Sequence, residues 1–228
     1  TEDNDSIAAQ ISKVLYPEDN TPNGKKLRLM QEYFLVSATL QYAIKDFKRV
    51  YGTRMDLLPE KVAFHINDTH PAMVIPELMR ILVDEEHLPW EAAERITMNT
   101  VAYTNHTVLA EALECWPQKL MEELLPRVWQ IVQEISKRWQ NRVESYYHGD
   151  MEKVAKMAII WDGSVHMANL CIAGGTAVNG VSALHSDILR NDVFRDACTM
   201  EPDKFKNVTN GIDHRRWLSQ VNPGLDSL

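Results

Sequence analysis

The sequence predicts an α/β protein: a parallel sheet with flanking helices. Two observations carry that prediction. Short apolar runs alternate along the 228 residues with segments whose apolar residues recur at helical spacing. Several runs also end in small polar or glycine clusters, as strands do in a sheet that binds ligands beyond its carboxyl edge. With 45% hydrophobic and 25% charged residues, the composition is that of an ordinary globular domain with a substantial core.

In chain order, residues 6–15 read as the last turns of a helix. Residues 16–24, YPEDNTPNG, form a loop by their prolines, asparagines and glycine. Residues 25–50 fit a long helix with Leu27, Met30, Phe34, Ala38, Leu40, Ile44 and Phe47 as its apolar stripe. Val62, Phe64 and Ile66 alternate as one face of a short strand. Pro71 stands where a first helical turn tolerates proline, and Pro76 predicts a kink or late start in a helix running to Leu82. Residues 91–98 form a short helix and 100–103 a second strand, followed after Asn105-His106-Thr107 by a helix-like segment. The clearest helix is 118–145, striped by Met121, Leu125, Val128, Ile131, Val132, Ile135 and Trp139, with a bend at Pro126. Residues 151–158 are helical. MANLCIAGG (167–175) reads as a buried strand ending in glycines. Residues 178–189 form a helix, FKNVTNGI (205–212) a strand and turn, and RRWL (215–218) a last helix.

A net charge of −8 argues against nucleic acid or an anionic membrane as partner. The pairs Lys25-Lys26 and Arg215-Arg216 are short, isolated and read as solvated surface. Cys115, Cys171 and Cys198 are odd in number, with no CxxC and no zinc spacing. They read as reduced, intracellular thiols, Cys115 being buried. The opening is not a signal peptide, and no apolar stretch approaches about 20 residues. The sequons at Asn67, Asn105 and Asn207 are therefore not read as glycosylation sites. The missing initiator Met and the mid-helix opening read as an excised piece of a longer chain.

Four expected strand ends carry polar or glycine clusters: Asn67-Asp68-Thr69-His70, Asn105-His106-Thr107, Ala173-Gly174-Gly175 and Thr209-Asn210-Gly211. They suit a polyhydroxyl ligand. Asn and neutral His each offer donor and acceptor, and a carboxylate accepts from two hydroxyls. The same residues also serve as turns and helix caps, and both readings stay open on spacing alone. His65, Asp68, His70 and His106 could ligate a metal, but the spacing is not HExxH and His65 alternates away from Asp68 and His70; no metal site is expected. Gly174-Gly175 and Gly180 lack the Lys and Ser/Thr of a phosphate loop and indicate close backbone packing. No Ser or Cys nucleophile stands in a recognisable elbow. The six tryptophans read mostly as core, with Trp217 nearest a site.

INDTHP (66–71), AYTNHTVLAEALECWP (102–117), NLCIAGGTAVNGV (169–181), TNGIDHRRWL (209–218) and LYPEDNTPNGKKLRLMQEYF (15–34) closely resemble the α-glucan phosphorylases: glycogen, starch and maltodextrin phosphorylase. The blocks cover essentially the whole chain in the family's order. The resemblance implies a two-domain glycosyltransferase of the GT-B type, built of two Rossmann-like domains. Residues 1–228 would be the later part of its N-terminal, glucan-binding domain, ending at the boundary with a C-terminal cofactor domain. It implies transfer of glucose from the non-reducing end of an α-1,4-glucan to inorganic phosphate, giving glucose 1-phosphate. Pyridoxal phosphate would supply its 5′-phosphate as proton shuttle, its Schiff-base lysine lying outside this chain. A cytoplasmic homodimer is implied, and this piece alone is expected to be inactive.

By the same resemblance, His106 holds the 6-hydroxyl of the reacting glucose and Asn210 shares it. Asp68, Thr107 and Glu111 line the site near the acceptor sugar, with His70 beside them. Residues 16–24 match a mobile gate loop, with Asp19 and Asn20 at its active-site end and Arg28 in the following helix. Trp217 packs near the cofactor. The two Asn-Thr-His strand ends would be two walls of one glucosyl pocket, with helix starts facing it. Lys45-Asp46 stands where the animal enzymes carry two arginines for an activating nucleotide, so AMP activation is not expected. Residues 159–166 are shorter than in the animal enzymes, which favours a bacterial-type enzyme without a remote glycogen site. A stand-alone carbohydrate-binding or interaction module is the alternative; a glycosyltransferase using a nucleotide sugar is the other, opposed by the gate loop and the TNGIDHRRW block.

Overall fold

The computed structural model describes residues 9–14 and 16–228. Numbered in chain order, β1 (Phe64–Asn67), β2 (Val101–Thr104), β6 (Val178–Gly180) and β7 (Phe205–Asn207) form a parallel sheet in that order. A second, antiparallel sheet has the order β3 (Cys115–Pro117), β5 (Ser164–His166), β4 (Ile160–Trp161). In the parallel sheet Asn67 lies opposite Thr104, and Thr104 opposite Asn179. Three carboxyl ends therefore finish level, and the polar residues after them share one edge. Ile66, Val101, Tyr103 and Val178 anchor the strands in the core.

Helix α1 (Pro22–Tyr51) begins three residues earlier than its stripe predicts. Thr21 caps it: the backbone there is extended, and the hydroxyl accepts from the Gly24 N–H at 3.1 Å. Pro22 occupies the first helical position, where no N–H partner is needed. Thr21→Ala is expected to cost about 1 kcal/mol, readable as a lower urea midpoint with an unchanged slope. The buried face of α1 is Leu29, Val36, Leu40, Ile44 and Phe47. This corrects the expected stripe, because Phe34 is 58% exposed and Ala38 also faces outward. Leu40, Ile44 and Phe47 belong to both readings; nearer the start the core contacts rotate by about one residue. Of the helix expected over 6–15, residues 9–13 are helical, and residues 6–8 and 15 lie outside the described residues.

Helix α2 (Val74–Arg80) starts late, with Pro76 in its first turn and Pro71 in the turn before it. A π-helical stretch, Ile81–Glu85, continues it. Helix α3 (Trp90–Thr100) leads directly into β2. No α-helix follows His106, contrary to expectation: a 3-10 turn, Ala110–Ala112, leads into β3 instead. Pro126 ends a helix rather than bending one. Leu125 has φ −132° and ψ 56°, and separates α4 (Gln118–Leu124) from α5 (Pro126–Tyr146). The α conformation is disfavoured before proline, which fits that break. The predicted stripe of α5 is buried as expected, from Val128 through Trp139.

Helix α6 (Met151–Met157) leads to β4 and β5. Residues 167–174 are helix α7 (Met167–Gly174), not a strand. All but Asn169 are buried, and Asn169 Nδ2 donates to the Lys156 and Ala158 carbonyls. A run apolar on every side carries no period that separates a buried helix from a buried strand. The glycine reading holds: a Cβ on Gly174 would lie 2.5 Å from Ile75 Cγ2, so α7 packs closer than any side chain allows. The expected helix over 178–189 divides into β6 and α8 (Ala183–Ile188). Helix α9 (Arg195–Met200) precedes β7, and α10 (His214–Val221) and α11 (Pro223–Asp226) close the chain. Cys171 is buried, whereas Cys115 is exposed on β3, against expectation; an alternating strand turns its neighbour Trp116 inward instead. Among the described residues no helix is long and apolar enough to cross a membrane.

Candidate functional site

The carboxyl edge of β1 and β2 brings together most of the residues singled out by sequence. At the end of β1, Asp68 has a left-handed backbone (φ 61°), a conformation Asp tolerates better than most residues. Its N–H donates to the Thr104 carbonyl at 2.9 Å, which sews the β1 turn to β2, and its Oδ1 accepts from the Thr69 N–H at 2.6 Å. Strained backbone held by flanking structure is common at binding sites. His70 follows, exposed, and Thr69 beneath it is buried.

At the end of β2 the chain turns on Asn105, which is fully buried. Asn105 Oδ1 accepts from the Thr107 N–H at 3.0 Å, and Nδ2 donates to the Tyr103 hydroxyl at 2.9 Å. That anchor projects His106 outward. His106 Nε2 meets Asn67 Oδ1 at 2.6 Å, so the two strand-end clusters touch. With an amide oxygen facing Nε2, the ring carries its proton there and turns Nδ1 away as an acceptor. Behind this edge, His65 bonds Thr104 Oγ1, and that hydroxyl donates to Asn179 Oδ1 at 2.7 Å. His65 thus joins a chain across three strands, on the face of β1 that it shares with Asn67.

Asn210 stands exposed beyond β7, with β6 between it and the His106 turn. Its N–H donates to the Val181 carbonyl at 2.9 Å. The Ala173-Gly174-Gly175 cluster closes helix α7 and is not a strand end; Asn179-Gly180 of β6 takes that place. Glu111 stands exposed in the 3-10 turn, and among the described residues no hydrogen bond or ion pair ties it to the strand ends. Trp217 is 54% exposed on α10, which buries no residue. Among the described residues no three of His, Cys, Asp and Glu group as metal ligands.

The gate-loop residues lie on and before α1. Asp19 and Asn20 are exposed, Asn20 Nδ2 donating to Glu18 Oε1 at 2.8 Å. Arg28 reaches back over the Tyr16 ring, 5.7 Å from its centre, and forward to Glu32 Oε1 at 3.3 Å. Glu32 leads to a pair that sequence reasoning missed. It lies against Glu114, and neither Glu32 oxygen has an aligned donor. Burial, then the neighbouring Glu114, pushes the Glu32 carboxyl well above the ordinary carboxylate range, against the pull of Arg28. Burial raises Glu114 too, offset by His70, Glu32, Arg28 and Thr69. Burial and a second carboxyl beside it favour the protonated form of Glu32. The pair joins the gate-loop helix to Thr69 and His70 on the β1 turn. Arg28 and Glu32 stand at i,i+4 on α1, a local spacing, whereas Glu114 lies 82 residues further along the chain and no local pattern brings it there.

The pair has a consequence for stability. The folded chain keeps a proton on Glu32 that the unfolded chain releases above pH 4.5 or so, the ordinary value. Stability from this group is therefore complete below that value and declines as pH rises through the raised one. Glu32→Gln keeps the shape without the proton. The variant is expected to gain on the wild type steadily as urea unfolding is repeated from pH 5 toward alkaline pH; parallel curves would rule out a protonated Glu32 in the folded chain.

The family model of carbohydrate phosphorylases matches residues 1–228. The chain is 54% identical over 230 residues to the muscle form of glycogen phosphorylase from Ovis aries. That match covers 96% of this chain and 27% of the relative. Identity is 53% to the human muscle form, with the same coverage, and 52% over 233 residues to the human liver form, covering 98% of this chain and 28% of that protein. The chain thus spans about a quarter of the length of these curated relatives. They are mammalian, and give the expectation of a bacterial-type enzyme no support.

Proposed function

This chain belongs to the carbohydrate phosphorylase family, and we propose that it forms the later part of the N-terminal domain of an α-glucan phosphorylase. The intact enzyme transfers glucose from the non-reducing end of an α-1,4-glucan to inorganic phosphate, releasing glucose 1-phosphate. The observation that carries the reading is the contact of His106 with Asn67: it makes one polar edge of the two strand-end clusters, in a chain that matches the family throughout. In this reading the parallel sheet is half of a two-domain GT-B enzyme, a cytoplasmic homodimer without AMP activation.

His106 and Asn210 orient the 6-hydroxyl of the transferred glucose. His106 does so by exchanging Asn67 for the sugar or by accepting at Nδ1, and the effect is positional. Asp68, Thr107, His70 and Glu111 line the neighbouring acceptor subsite, and Asp19, Asn20 and Arg28 gate it. Pyridoxal phosphate, when bound in such an enzyme, supplies a phosphate that moves the proton. The described residues do not fit a site that links it. Lys204, the one buried lysine among them, is held by the Ile172 carbonyl at 2.8 Å and by Glu201 at 2.7 Å. Trp217 offers an exposed ring for packing and nothing more, so the linking lysine belongs outside this chain.

The test measures glucose 1-phosphate release from maltoheptaose and phosphate with pyridoxal phosphate, for this chain and for the longer protein that carries it. Release by the longer protein and none by the chain is expected. Glucan affinity without release from either would favour a carbohydrate-binding module. Release by the chain alone would overturn the placement of cofactor and phosphate groups elsewhere.

A further inference from the structure

We propose that His185 is a positioning residue of this site: one imidazole, held as the Nε2–H tautomer, sets the spacing between the His106–Thr107 turn and the Asn210 turn. His185 opens helix α8, where its own N–H is capped by Ser182 Oγ at 3.1 Å, and it is 8% exposed. Its Nδ1 accepts from the Val181 N–H at 3.1 Å. A backbone amide can only donate, so Nδ1 is unprotonated and the ring proton sits on Nε2. Nε2 faces Asn105 Oδ1 at 3.2 Å. That oxygen also accepts from the Thr107 N–H, while the amide NH₂ is turned to the Tyr103 hydroxyl, so the Asn105 orientation and the His185 tautomer agree.

The two ring nitrogens therefore serve two different walls. Through Asn105, Nε2–H steadies the turn that carries His106 and Thr107. Through the Val181 peptide, Nδ1 steadies the turn that carries Asn210, whose N–H donates to the Val181 carbonyl at 2.9 Å. Asn105 follows β2 and Val181 follows β6, and the imidazole spans between them. Without it, the buried Asn105 oxygen loses a donor and the Val181 N–H loses its acceptor, so both turns are free to relax. His185 itself contacts neither His106 nor Asn210, and its role is positional.

The role in catalysis rests on the functional reading above, whereas the tautomer does not, and the two are measured separately. Nitrogen-15 NMR of the histidine-labelled chain at neutral pH, assigned with His185→Gln, is expected to show a protonated Nε2 and an unprotonated Nδ1. A protonated Nδ1 or a mixture of tautomers overturns the proposal. In the longer protein, His185→Ala is expected to lower kcat for phosphorolysis by about 10- to 100-fold, the cost of a small misplacement, with the glucan KM little changed. His185→Gln retains a donor for Asn105 and is expected to recover most of the loss. Equal losses in both variants, or no loss in either, overturn the positioning role. Should the alanine variant not fold, His185→Asn replaces it: its shorter amide serves Val181 but not Asn105, and the same loss is expected. A wild-type protein that shows the tautomer but no phosphorolysis overturns the functional reading and the catalytic role with it.

Discussion

His106→Ala in the longer protein should lower kcat/KM for phosphorolysis by about 30- to 1,000-fold, or about 2–4 kcal/mol of transition-state stabilisation. The side chain stands on a turn whose base, Asn105, is fully buried and hydrogen-bonded through both ends of its amide, and its Nε2 is preset by Asn67 at 2.6 Å. A ring held this firmly contributes orientation at little entropic cost. Removing it leaves the turn intact, so folding and glucan binding should persist. The useful comparison is with Asn67→Ala, which frees the ring without deleting it and should cost less. A rate unchanged in His106→Ala would end the assignment of His106 to the transferred sugar.

Glu77→Ala should destabilise the fold by about 3–5 kcal/mol, the cost of removing one partner from a buried, fully bonded charge pair. Glu77 is completely buried on α2. Its oxygens accept from Arg80 Nε and Nη2, from the Tyr33 hydroxyl and from the Ser37 hydroxyl, each at 2.8 Å. Tyr33 and Ser37 lie on α1, so this single carboxylate docks the long helix onto the α2 layer. Burial and the Glu77 charge push the Tyr33 phenol up to about 12, which keeps its proton in place to donate. In the variant Arg80 retains Glu85 at 2.9 Å, while the two α1 hydroxyls lose their acceptor. Urea unfolding would measure the loss; a cost under about 1 kcal/mol would mean that apolar contacts alone dock α1.

Much of this was legible in the sequence, and the misses share a cause. The stripe of α5 was read correctly because the buried residues of one long helix repeat at one period, and that signal is local. The two Asn- and His-bearing strand ends were legible for the same reason, since Phe64–Asn67 and Val101–Thr104 each finish within a few residues of their polar clusters. Residues 167–174 were misread because a helix buried all round has no polar face to report its period. The helix expected after His106 failed because Cys115–Pro117 pairs with Ser164–His166, nearly fifty residues on. The Glu32–Glu114 pair was hidden likewise, because only the tertiary fold brings the two residues together.

By itself the sequence determined the alternation of strands and helices, the polar ends of β1 and β2, the buried stripe of α5, and the family. These depend on neighbours within a turn or two. Tertiary structure alone decided which face of α1 is buried, whether 167–174 is helix or strand, and how the site is braced. The bracing contact between His185 and Asn105 joins positions 80 residues apart. No local period or propensity encodes such a contact; it exists because packing of α8 against β6 and β7 carries one imidazole to the end of β2.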